Sequence, residues 1–422
     1  MITKFDPSEV EILSPAGNFE GLIAAIQGGA NSIYFGVGNL NMRAKSSVNF
    51  TVEDLAEIVR ICKENNLHTY LTVNTVLYDQ DIDPMRFLID QAVEKGVSAV
   101  IVSDQAAIHY ARKKGIKVHL STQLNISNTE SLRFYSQWAD VAVLARELNL
   151  EQVSNIATNI QTQNITGPSG EKIRLELFAH GALCMAISGK CYLSLHEANA
   201  SANRGECIQI CRRSYTATDN ETGAQLGIDN EYIMSPKDLC TISFLNKVID
   251  AGVRILKIEG RARSPEYVKT VTQCYREAVN SIADGSYNKE KIDQWLNRLS
   301  AVYNRGYWGG YYLGQKLGEW SHVYGSLATE RKLYVGKITN YFSNIGVAEI
   351  LVEANELFCN DKILIIGSTT GVLETIVKEI RIDDQSVTVS PKSVRCSIPL
   401  DSLVRRSDKV YRVIQSEKIK KI

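Results

Sequence analysis

The chain is 422 residues long, 44% hydrophobic and 22% charged, with 47 Lys plus Arg against 47 Asp plus Glu. That length exceeds what one hydrophobic core usually carries. The even charge excludes a global field that gathers nucleic acid or anionic membrane, so such partners must be met by local patches. The opening MITKFDPSEVEILSPAG lacks the apolar core of a signal peptide, and no run reaches the roughly 18 apolar residues of a spanning helix, so a cytoplasmic protein with no membrane contact is expected.

In chain order, eight short apolar runs predict strands: EILS (11–14), SIYFGV (32–37), HTYLTVN (68–74), AVIVSD (99–104), KVHLST (117–122), VAVLAR (141–146), RLELFA (174–179) and RILKIEG (254–260). Several are nearly continuous apolar stretches, as parallel strands buried on both faces require. Amphipathic helices lie between them. In TVEDLAEIVRICKENN, Thr51 and Asp54 suggest a capping box, and Leu55, Ile58, Val59 and Cys62 form one apolar face. Gly29, Gly96, Gly115 and Gly252 each stand just before a strand, where a left-handed residue ends the preceding helix. Eight strand–helix units predict a (β/α)₈ barrel of the TIM type over 1–330, with an open doubly wound sheet as the alternative. SPAGNFEG (14–21) lacks the GxGxxG of a dinucleotide fold.

The seventh unit is long, which predicts an insertion over 181–252 at the end of the barrel where active sites form. Two helices and an aromatic, glycine-rich stretch, RGYWGGYYLGQ (305–315), follow. Residues 331–422 are β-rich with turns such as GSTTG and DDQS, predicting a separate small β-barrel.

The insertion holds Cys184, Cys191, Cys207 and Cys211, with Cys240 further on. In a reducing compartment, such clustering points to metal or catalysis before disulfides. Only the C-x₃-C pair has a spacing typical of structural zinc, and four thiolates suit an iron–sulfur cluster as well. From spacing alone, iron–sulfur, zinc and unmetallated core thiols all stand open. Cys274, Cys359 and Cys396 read as structural.

Polar residues at the predicted strand ends converge on one mouth in a barrel. Among them Glu147, His180, Lys257 and Glu259 are the catalytic candidates. Arg43, Asn74, Asp104, Gln123, Asn125, Arg146 and Arg261 are the substrate-binding candidates, the cations suiting a carboxylated or phosphorylated ligand. HExxH and GxSxG are absent.

The segment ELFAHGALCMAISGKCYLS (176–194) resembles the signature of the collagenase-like peptidases, peptidase family U-32. The fixed positions of that signature are filled by Glu176, Phe178, Gly181, Ala182, Leu183, Cys184, Gly189, Cys191, Leu193 and Ser194. EILSPAGN, NRGECIQICR (203–212), SPKDLC (235–240) and LKIEGRARSPEYV (256–268) are similar to the same family. The family carries a peptidase label without an agreed mechanism. Its better-understood branches are oxygen-independent hydroxylation proteins for tRNA wobble uridine, an rRNA cytidine and the ubiquinone ring.

The resemblance implies a 4Fe–4S cluster on Cys184, Cys191, Cys207 and Cys211, with Cys240 as an alternative fourth ligand. It also implies prephenate as the hydroxyl donor, tRNA as the partner, and a paralogous family subunit as a further one. The tail is similar to the barrel domains of elongation factors. On this reading Tyr307, Trp308, Tyr311 and Tyr312 are candidates to receive a turned-out base, although the stretch also reads as a packing seam. Arg405, Arg406 and the terminal KIKK are candidates to hold tRNA backbone. Two other readings stand beside it: a collagenase-like peptidase, and a non-catalytic RNA-binding or assembly partner whose cluster is structural.

Overall fold

The computed structural model describes residues 5–45, 48–226, 232–323 and 325–416. Eight parallel strands close into a barrel: β1 (Glu11–Pro15), β2 (Ser32–Gly36), β3 (His68–Val73), β4 (Ala99–Val102), β5 (Lys117–Leu120), β6 (Val141–Val143), β7 (Arg174–Gly181) and β8 (Ile255–Ile258). Each strand pairs with the next, and β8 closes the ring on β1 (Leu13 beside Lys257) and on β7 (Phe178 beside Lys257). The open-sheet alternative is thereby excluded.

The strands fall where the apolar runs put them; β1 and β7 run one and two residues longer than expected, and the other six stop short at their carboxyl ends. There Asp104 turns out to cap the helix Gln105–Lys113 by accepting from Ala106 N, and Thr122 enters a 3-10 turn. Gly29, Gly96, Gly115 and Gly252 all have left-handed φ between 76° and 92°, a conformation that costs other residues a Cβ clash. The expected cap at Thr51 is half formed. Asp54 accepts from Thr51 N, but the helix Asp54–Glu64 has no side-chain bond at its own N-cap, Glu53.

The main core lies between barrel and helices, where Ile12, Ile33, Phe35, Leu71, Val100, Val118 and Leu177 meet Leu22, Ile58, Ile89 and Ile108. Inside the barrel, Leu13, Tyr34, Tyr70, Ala99, Ile101, Val141 and Ile255 form a small separate cluster. Alternate residues of a strand face opposite ways, so the interior also receives Glu11, Glu176 and Lys257.

A short strand, Asp238–Cys240, runs antiparallel to the end of β7, and Tyr307–Trp308 adds to it. The helices Pro265–Ala283 and Lys289–Ala301 precede the tail. Eight of its strands between Glu330 and Gln415 form an antiparallel sheet around Val335, Ile338, Ile350, Ile365, Ile398 and Val410, and Leu357–Phe358 pairs separately with Val389–Ser390. The two edge strands of that sheet do not pair with each other among the described residues. The tail packs on the helices Phe19–Gln27 and Pro265–Ala283, where Gln27 bonds to Thr370 O and Val372 N and Lys269 to Val372 O.

Gly181 ends β7 with φ 107°, and a Cβ there would stand 2.4 Å from the Glu259 carbonyl oxygen. Gly181→Ala is therefore expected to destabilise the protein by about 2–4 kcal/mol, read as a lowered denaturation midpoint. An unchanged midpoint would show that the β7–β8 junction yields freely.

Candidate active site

The carboxyl ends of the strands surround a cavity of about 340 Å³, within the range that encloses a small molecule. One wall is the insertion, and all four of Cys184, Cys191, Cys207 and Cys211 line it. The opposite wall and floor carry Arg43, Arg146, Lys257, Glu259 and Arg261, with Asn74 and Gln123 beside them. Tyr34, Phe178, Arg212, Arg263 and Arg305 are among the other residues that line it.

The charges are arranged in pairs. Lys257 Nζ donates to Glu176 Oε1 at 2.7 Å, and the two side chains are 7% and 0% exposed. Arg43 donates to Glu259 Oε1 from Nε at 3.1 Å and from Nη2 at 2.7 Å, and Tyr34 Oη donates to Glu259 Oε2 at 3.2 Å. Burial pushes the Glu259 carboxyl up, but Arg43, with help from Arg146 and Arg261, outweighs it and holds the group at about 2. Arg261 donates to Asn41 Oδ1 and Thr72 Oγ1. Arg146 lies flat on Phe178, its guanidinium carbon 3.8 Å from the ring centroid. It donates to Ala182 O at 3.3 Å, and its buried Nε has no partner.

The insertion is fastened to the barrel by contacts that need no metal. Arg204 donates to Asp81 and to Val76 O and stacks on Tyr78. Lys45 pairs with Glu206, while Asn203 Oδ1 accepts from Cys191 N. Gly205 has φ 84°, and a Cβ there would meet Asn41 O at 2.3 Å. Arg212 ties Leu183 O to Pro236 O.

Burial raises the Cys191 and Cys211 thiols, and neighbouring thiols add to the rise. Among the described residues, however, no three His, Cys, Asp or Glu side chains are disposed to hold a single metal ion. One zinc at ~2.3 Å from each sulfur would require thiolates ~3.8 Å apart. The donor set, four thiols in one partly exposed enclosure beside Gly189 and Gly205, fits the chemistry of an iron–sulfur cluster.

Several candidates stand elsewhere. Cys240 is buried in the added strand, 4.0 Å from Tyr275 Oη, with its thiol pushed by burial to about 11, and it does not line the cavity. Its alternation on a strand turns it away from the other four. His180 is 1% exposed behind the cavity among Tyr267, Tyr275 and Tyr307, and burial lowers it to about 3. Glu147 faces solvent, and Asp104 is spent as a helix cap. Asn125 occupies a left-handed turn that holds Ser188 O.

The aromatic stretch is a packing seam: Tyr307, Trp308 and Tyr312 donate to Leu299 O, Lys237 O and Phe178 O. Arg405 and Arg406 are exposed, and KIKK lies outside the described residues. The sequence reading passed over Tyr34, Glu176 and Arg204 as site residues. For Glu176 a signal existed: it stands two residues before Phe178, on the same inward face of β7.

The model for peptidase family U32 matches residues 17–322. A Porphyromonas gingivalis protein named collagenase is 58% identical over 410 residues, covering 97% of this chain and 99% of its own. The tRNA hydroxylation protein P1 of Bacillus subtilis is 31% identical over 381 residues, 87% of each chain. The 23S rRNA 5-hydroxycytidine C2501 synthase of Escherichia coli is 36% identical over 276 residues, 65% of this chain and 40% of its own.

Because Glu259 is held below its ordinary value, its contribution to stability is complete above the unfolded carboxyl range and is lost as pH falls toward about 2. Arg43→Met should raise that carboxyl and shift the acid-unfolding midpoint to higher pH, followed by tyrosine fluorescence or circular dichroism. An unshifted midpoint would show that Arg43 does not hold Glu259 ionised.

Proposed function

The chain belongs to peptidase family U32, and from that premise we propose that it is an RNA-modifying enzyme. Its reaction is oxygen-independent 5-hydroxylation of tRNA wobble uridine, with prephenate as co-substrate. A 4Fe–4S cluster is carried by Cys184, Cys191, Cys207 and Cys211. The observation that carries this reading is one cavity with four thiols on one wall and a cationic floor on the other. The names of the Bacillus and Escherichia relatives support RNA as the substrate class.

When bound, the cluster supplies redox and Lewis-acid chemistry that side chains lack. The chain's own residues do the rest. Arg146 and Arg261 draw in the carboxylates of the co-substrate. Tyr34 and Phe178 form a dry wall beside them, which strengthens those charge contacts. Glu259 stays ionised and fixes Arg43. The target base must leave its stack to enter such a cavity. Tyr192, 72% exposed beside Cys191, offers it a stacking surface in place of the packed Tyr307, Trp308 and Tyr312.

The collagenase name of the 58% identical relative favours a second reading, a peptidase. Thiol proteolysis needs a base beside the nucleophile. His180 is directed to Tyr275 rather than to Cys184, which weighs against that reading.

Protein purified without oxygen should contain about four irons and four sulfides per chain, with a broad absorption near 400 nm. Cys184→Ala should lose most of both. In cells lacking the protein, 5-hydroxyuridine should vanish from tRNA hydrolysates and return with the wild-type chain but not with Cys184→Ala. Zinc or no metal under strict anaerobiosis, or cleavage of collagen peptides by pure protein, would overturn the reading.

A further inference from the structure

Lys257 is placed unlike a residue kept for charge alone. Its Nζ reaches the cavity floor, 4.7 Å from the Tyr34 ring centroid and 5.5 Å from that of Phe178. It donates to Glu176 Oε1 at 2.7 Å, while Glu176 Oε2 is buried without a partner. Arg146 lies on the same Phe178 ring, with no carboxylate bound to it among the described residues and its Nε buried and unpartnered. An amine beside a carboxyl group thus shares one aromatic wall with an unsatisfied guanidinium. A molecule with a carboxylate and a carbonyl on adjacent carbons satisfies both.

We propose that Lys257 captures the ketone of a 2-oxo acid as an imine while Arg146 holds the acid's carboxylate. The step balances within the site. The ammonium of Lys257 gives a proton to Glu176, and the freed amine attacks the carbonyl carbon. A C–N bond forms, the C–O bond breaks, and the oxygen departs as water with the two hydrogens of the amine. Glu176 then returns its proton to the imine nitrogen, so the positive charge remains beside the carboxylate. Burial pushes the Glu176 carboxyl up against the opposing pull of Lys257, which suits it to accept that proton. Lysine amines commonly act on carbonyl substrates through such adducts. The inference deepens the proposed function, since prephenate is itself a 2-oxo acid, and it rests on that reading only for the ligand's identity.

The test uses the full-length protein, purified without oxygen, with pyruvate or phenylpyruvate as probe and borohydride as trap. Mass spectrometry should find one adduct per chain, heavier by the mass of the acid less one oxygen, on the peptide that contains Lys257. Lactate and phenyllactate should give none. Lys257→Arg keeps a cation against Glu176 and should melt like the wild type yet trap nothing. Arg146→Gln should trap about tenfold less or worse at equal acid concentration.

No adduct on folded protein, adducts scattered over surface lysines, or trapping that survives Lys257→Arg would overturn the proposal. Iron content and tRNA nucleosides, measured on the same preparations, separate the two ideas. Cluster-loaded, active protein that traps nothing sinks the imine alone. Specific trapping on Lys257 by protein that never binds iron supports the imine and sinks the proposed function.

Discussion

An ion pair buried inside the barrel, Lys257 with Glu176, governs how the rest of this molecule is organised. Barrel interiors of this architecture are commonly filled by layers of branched apolar side chains. Here Leu13, Ile101, Val141 and Ile255 supply only part of the filling, and an ammonium and a carboxylate sit among them at almost no exposure. Desolvating two ions costs several kcal/mol each, and well-packed apolar residues often serve stability as well or better. The pair sits directly beneath the cavity, with Lys257 in its lining and one carboxylate oxygen of Glu176 left without a partner.

The same logic extends upward through the floor. Glu259, two residues beyond Lys257 on the same face, is neutralised by Arg43 and braced by Tyr34. Arg261 is held by Asn41 and Thr72. Arg146, which leans on an aromatic ring and has no carboxylate partner among the described residues, adds positive charge to the same wall. An anion entering the cavity meets a fixed guanidinium whose reorganisation has already been met by folding.

The thiol wall is built by different means. Its segments have little regular structure, with only the short helix Leu193–Ala198 and isolated turns. What places it are contacts to two neighbouring loops: Arg204 on Asp81 and Tyr78, Glu206 on Lys45, and Gly205 against Asn41. Rigid barrel strands thus hold the charged half of the cavity, and a clasped insertion brings the thiols to it. The tail takes no part in the lining, since its contacts run through the outer helices.

The barrel was legible in the sequence because parallel strands buried on both faces must be apolar almost throughout, and because left-handed glycines end four of the helices that turn back, Asn66 and Asn164 doing so in two others. The four clustered cysteines stood out because their spacing does not follow a core pattern, and the fold lines one cavity with all four. Tertiary structure alone decided which polar strand ends meet. His180 and Cys240 lie on chain segments that look equivalent to their neighbours, yet pairing with the added strand turns them into the packing behind the cavity. Residues 305–315 read either as base-stacking rings or as a packing seam, and the fold made Tyr307, Trp308 and Tyr312 a seam. Glu176 was the reverse case: it fills a fixed position of the family signature and alternates inward with Phe178, yet nothing in the chain pattern names Lys257 as its partner. Only closure of the ring sets β8 beside β7 and brings its carboxylate to the lysine, because which inward-facing side chains touch depends on the barrel's register and not on their spacing along the chain.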